Sequence, residues 1–79
     1  MFVDDKDPGQ LIRLLRDRLG MTQERFAARL GVTFASVNRW ENGRARPSPL
    51  ALRQVEELLH DLGDSGADLL NEYFAERNR

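Results

Sequence analysis

Apolar residues return at three- and four-residue spacing along most of the chain, in blocks cut by glycine and proline. In the first block Ile12, Leu15 and Leu19 form one stripe, widened by Leu11 and Leu14. The block predicts a helix from Pro8 or Gly9 to Leu19, closed by Gly20. Arg13 and Arg18 fall on its outer side, while Arg16 borders the stripe, where a guanidinium needs a partner. Thr22 stands as the N-cap of a second helix, with Phe26, Ala27 and Leu30 on one face and Gly31 at its end. Only Gly31 and Val32 separate it from Thr33, the next N-cap, so the second and third helices meet at a sharp angle. The third helix runs from about Phe34 to Glu41 or Asn42, and Asn42-Gly43 stops it.

Ser48-Pro49 opens a fourth helix, with serine as cap and proline in the first turn. It reaches about Leu62 with Leu52, Val55, Leu59 and Leu62 on one face, widened by Leu58, and Gly63 stops it. Ser65 then caps a fifth helix, from about Gly66 to Arg77, where Leu69, Leu70, Tyr73, Phe74 and Arg77 follow the same spacing. No alternating run of strand type occurs, and the chain does not repeat internally. The fold class is therefore all-α, a compact domain of five helices. Residues 1–8 read as a flexible acidic arm, 9–63 as the main domain with its central motif at 22–42, and 64–79 as a C-terminal helix.

The third helix does not fit a purely buried role. Val32, Val37 and Trp40 can point inward, but Thr33, Phe34, Ala35, Asn38 and Arg39 cannot all do so. Something must face those outer positions.

Composition narrows what that is. The 79 residues fit one small domain, and 41% hydrophobic with 32% charged residues describes a folded chain. Without cysteine there is no disulfide or thiolate metal site, and a lone histidine, His60, supplies no ligand set. No metal or cofactor is expected. No apolar run approaches membrane-spanning length and the N-terminus is no signal peptide, so a cytoplasmic protein with no membrane partner is expected. The net charge of −1 is unevenly spread. Residues 22–46 carry Arg25, Arg29, Arg39, Arg44 and Arg46 against Glu24 and Glu41, while residues 54–79 are net acidic by five. That asymmetry permits a local phosphate-binding face on a chain of near-neutral charge.

The stretch TQERFAARLGVTFASVNRWENG, residues 22–43, resembles the helix-turn-helix of the lambda-repressor-like, or Xre, family. The similarity runs from about Leu11 to Leu62. It includes Arg16, Leu19-Gly20-Met21-Thr22-Gln23, Ala27, Gly31-Val32, Ser36-Val37, Trp40-Glu41-Asn42-Gly43 and Pro47-Ser48. So many positions at fixed spacing are far more specific than a short motif. The resemblance implies a third helix that enters the major groove of double-stranded DNA, where each base pair presents its own donor, acceptor and methyl pattern.

On that reading Thr33, Phe34, Ala35, Asn38 and Arg39 contact bases. Arg39 can fork onto guanine or clamp a phosphate, and Asn38 can pair with adenine. Phe34 departs from the polar residue common in the family; its ring can touch a thymine methyl but cannot donate. Gln23, Ser36, Asn42, Arg44 and Arg46 are assigned to phosphates, with Gln23 also bracing the third helix. The alternative for Arg44 and Arg46 is a solvated basic loop. By the same resemblance Arg16 and Glu41 form a structural ion pair between the first and third helices, and Trp40 is a core anchor. Leu69, Leu70, Tyr73 and Phe74 have two readings: packing across the first and fourth helices, or the interface of a homodimer on a palindromic operator.

The function expected is sequence-specific DNA binding by a transcriptional regulator, a repressor by family habit. Two alternatives are an antitoxin that holds a toxin as protein partner while binding DNA, and the DNA-targeting domain of a larger protein. No enzyme is expected, because the serines and threonines are mostly caps and His60 has no evident catalytic partner.

Overall fold

The computed structural model describes residues 1–74. It contains α1 (Pro8–Leu19), α2 (Gln23–Leu30), α3 (Phe34–Glu41), α4 (Pro49–Asp61) and α5 (Asp64–Tyr73). Local chemistry sets the helix starts. The Asp7 carboxylate accepts from the Gly9 N–H and opens α1. Thr22, Thr33 and Ser48 do the same for α2, α3 and α4 with their hydroxyls, each satisfying an amide that has no partner within the helix.

α1 packs on α3 and α5, α2 on α3 and α4, and α4 on α5. One core joins them, built on Leu11, Ile12, Leu15, Phe26, Val37, Val55 and Leu59, all fully buried. Leu19, Leu52 and Leu62 are only partly buried against it, and Ala51 and Leu58 take the buried places on α4. Leu14 points outward, at 38% exposure, contrary to the expected widening of the α1 stripe. Two glycines let backbones meet. A methyl on Gly9 would strike the Trp40 carbonyl where α1 crosses α3, and one on Gly66 would strike the Leu59 carbonyl between α5 and α4.

Residues 1–7 are not a loose arm. Phe2 is buried, and its ring lies 5.5 Å from that of Phe74, edge to face, and 6.3 Å from that of Tyr73, stacked. Backbone pairing holds the segment there: the Val3 N–H donates to the Tyr73 carbonyl at 2.9 Å, and Phe2 bridges Phe74 in antiparallel fashion. The sequence hid this because a three-residue apolar run, Met1-Phe2-Val3, ahead of an acidic stretch does not announce a docking site.

The C-terminal helix also differs from expectation. α5 begins at Asp64 with Gly63 at its N-cap and no side-chain cap, so Ser65 lies inside it rather than before it. It ends at Tyr73, where Phe74 turns extended to meet Phe2; Arg77 lies outside the described residues. Leu69, Tyr73 and Phe74 are buried in the chain's own core and Leu70 is partly buried against it. These side chains serve the packing of α5 on α4 and α1. Arg18 pins the same helix from outside, donating to the Ser65 carbonyl at 2.9 Å and to both Asp68 carboxylate oxygens at 2.6 and 3.1 Å.

Candidate nucleic-acid interface

The turn between α2 and α3 places the reading helix. Gly31 takes φ +74°, a left-handed conformation that costs other residues, and the Val32 N–H returns to the Ala27 carbonyl at 2.9 Å. Thr33 then caps α3: its oxygen accepts from the Ser36 N–H at 3.0 Å, and its hydroxyl donates to Ser36 Oγ at 2.9 Å. Val37 and Trp40 are buried beneath, so α3 is held by one side. Thr33, Phe34, Ala35, Arg39 and Asn42 are exposed on the other, with Ser36 and Asn38 half-buried. Phe34 is 48% exposed.

Underneath this face runs a polar network. Arg16 on α1 forks onto Glu41 on α3, Nε to Oε2 at 2.8 Å and Nη2 to Oε1 at 3.0 Å. Its remaining terminal nitrogen donates to the Met21 carbonyl at 3.0 Å. The Glu41 side chain is 1% exposed and Arg16's is 18% exposed. Burial pushes the Glu41 carboxyl up, but hydrogen bonds from Arg16, Gln23 and Arg13 and the Arg16 charge outweigh it, and the carboxyl lies below the ordinary carboxylate range. The hydrogen bond to Glu41 raises the Arg16 guanidinium above its usual value against the opposing effect of burial, with the Glu41 and Asp17 charges adding to it. Arg13, read from the sequence as merely outward, also reaches Oε1 at 3.4 Å. Its place one turn before Arg16 is the signal that could have shown it.

Gln23 extends the network to the reading helix. Its amide donates to Glu41 Oε1 at 3.0 Å, and its oxygen accepts from Asn38 Nδ2 at 3.2 Å. Asn38 Oδ1 in turn accepts from Asn42 Nδ2 at 3.1 Å. Gln23 therefore braces α3 directly. Asn38 is engaged at both ends of its carboxamide, and each end keeps one further N–H or lone pair. The Thr33 hydroxyl spends its proton on Ser36 Oγ and keeps one lone pair. Of the residues assigned to bases, Phe34, Ala35 and Arg39 make no side-chain hydrogen bond within the chain among the described residues.

The residues assigned to phosphates gather at the ends of the same face. Gln23 lies in the first turn of α2 and Ser36 in the first turn of α3. Beyond Asn42, Gly43 takes φ +74° and the Arg44 N–H closes back on the Arg39 carbonyl at 2.9 Å, which throws Arg44 to the surface. Arg46 is exposed two residues on, beside buried Pro47. The guanidinium groups of Arg39, Arg44 and Arg46 form no hydrogen bond or ion pair among the described residues, in contrast to those of Arg13, Arg16 and Arg18. His60 is exposed in the last turn of α4, on an element that supplies none of the residues assigned to DNA.

Comparison with known proteins agrees with this geometry. A helix-turn-helix family profile matches residues 12–60. Two curated proteins named as uncharacterized helix-turn-helix-type transcriptional regulators, from Sinorhizobium medicae and Rhizobium meliloti, are each 36% identical over 52 residues. Each alignment covers 66% of this chain, which spans 37% of the length of those relatives. No solved structure matches significantly. From the profile match, the Gly31 turn and the capped, half-exposed α3, the chain belongs to the lambda-repressor-like (Xre) helix-turn-helix family.

Proposed function

We propose that this chain is a sequence-specific DNA-binding domain that regulates transcription, with α3 in the major groove and the arginines after it on the backbone. The observation that carries this reading is the face of α3 itself: Phe34, Ala35 and Arg39 uncommitted at the surface, followed by Arg44 and Arg46 with no protein partner among the described residues. The relatives' description as transcriptional regulators supports the same role. Arg39 reads a base edge, Gln23, Ser36, Asn42, Arg44 and Arg46 hold phosphates, and the Arg16–Glu41 pair keeps α3 at its angle. The mechanism is occupancy of an operator, which blocks a promoter that overlaps it. The domain catalyses no reaction in this scheme.

Two copies on a two-fold operator are the proposed arrangement. One α3 presents few side chains to bases, and each good base contact discriminates by ~1–3 kcal/mol, whereas regulatory sites need ~4–10 kcal/mol over random DNA. Selection of bound duplexes from random DNA by the 79-residue chain tests the proposal. Enrichment of a defined sequence supports it, and a palindrome with half-sites about one helical turn apart supports the two-fold arrangement. Recovery of random sequences after repeated rounds refutes it.

A further inference from the structure

The Thr33 and Asn38 side chains are tied into the chain's own hydrogen bonds. The Thr33 hydroxyl accepts from the Ser36 N–H and donates to Ser36 Oγ, and the Asn38 carboxamide is held between Gln23 and Asn42. Between them stand Phe34, 48% exposed, and Ala35. The Phe34 ring is exposed in the first turn of a helix that buries Val37 and Trp40. What Phe34 and Ala35 themselves offer a base edge is carbon: a ring and a methyl. Among the groups that the major groove presents, the C5-methyl of thymine is the apolar one. Arg39, exposed further along α3, is a polar reader with no partner for its guanidinium among the described residues.

We infer that Phe34 is a specificity-determining residue that reads the 5-methyl group of thymine, with Ala35 beside it. The inference rests on the proposed DNA-binding role and sharpens it. Specificity at the Phe34 position is set by a methyl group and not by a hydrogen-bond pattern, so 5-methylcytosine, which carries the same methyl, is accepted there better than cytosine.

The test starts from the duplex selected by the full chain. Each thymine is replaced in turn by deoxyuridine, which removes the methyl and leaves every Watson–Crick group in place. Loss of one buried methyl contact lowers affinity about fourfold. The expected result is such a drop at one thymine per half-site, its partial restoration when that position is 5-methylcytosine rather than cytosine, and its disappearance in Phe34→Ala. Circular dichroism serves as the folding control, because Phe34 is not part of the core. A second variant, Phe34→Gln, shifts the preferred base at that position toward adenine, whose N6 and N7 a glutamine can bond. A selected site that tolerates uracil at every thymine overturns the inference and leaves the DNA-binding proposal standing, as does a uracil effect that persists unchanged in Phe34→Ala. Failure to select any sequence overturns the proposal itself.

Discussion

Replacing Glu41 with glutamine keeps the shape of the side chain and removes its charge. Glu41 Oε1 accepts from Arg16, Gln23 and Arg13, while Oε2 accepts from Arg16 Nε alone at 2.8 Å. The amide of Glu41→Gln will therefore take the Oε2 place and set N–H against N–H. Removing one member of a buried pair costs ~3–5 kcal/mol. Arg16 retains 18% exposure and its bond to the Met21 carbonyl, which puts the expected loss at the lower end, ~3 kcal/mol. A domain of this length has ~4–12 kcal/mol in total, so the variant is marginal, with a Tm lowered by ~10–20 °C. Urea denaturation followed by circular dichroism measures the change. Arg16→Met on top of Glu41→Gln should recover part of the loss, because the stranded cation goes with it, giving a coupling energy of ~1–3 kcal/mol.

Acid adds a second readout of the same pair. The folded Glu41 carboxyl titrates below its unfolded value of ~4.3, so its contribution is present above that pH and is lost as pH falls through the depressed folded value. Glu41→Gln should flatten that part of the acid limb. A stability change under ~0.5 kcal/mol, the size of an ordinary surface substitution, would sink the structural assignment. So would a fully folded Glu41→Gln that no longer binds the selected DNA.

Arg39→Ala should weaken binding to the selected site by ~1–3 kcal/mol and relax preference at one base pair, and an unchanged selection profile would reject its role as a reader. Arg44→Ala and Arg46→Ala should weaken binding to all duplexes alike and each reduce the salt slope by ~1; altered sequence preference would show that positioning and reading are divided wrongly here. Gly9→Ala should destabilise by ~2 kcal/mol through separation of α1 from α3, measured by thermal melting, since its methyl would meet the Trp40 carbonyl; an unchanged melt would mean the helices do not approach so closely. Phe2→Ala should cost ~3 kcal/mol if the N-terminal segment is docked on Tyr73 and Phe74 as seen, and close to nothing if it is loose.

The helices and their order were legible in the residues because local chemistry decides them. Thr22, Thr33 and Ser48 cap the helices they were expected to cap, and Gly31 and Gly43 break the chain where other residues would be strained. The need of Arg16 for a counter-charge was legible from its place beside an apolar stripe, whereas Glu41 as that counter-charge came from the family resemblance.

Tertiary structure alone decided which polar groups remain for a partner. Gln23 and Asn38 look equally free along the chain, and the hydrogen bond between them exists only because α2 and α3 meet at one angle. The fate of Leu69, Tyr73 and Phe74 was open for the same reason: an apolar helix face does not say whether its complement lies in the same chain or in another copy. Phe2 answered part of that, since a single ring far away in sequence covers what would otherwise have been an outward aromatic edge. Periodicity and caps are local and can be read in order, whereas the commitment of a side chain is a three-dimensional fact, fixed by whichever neighbour the fold brings within hydrogen-bonding or packing distance.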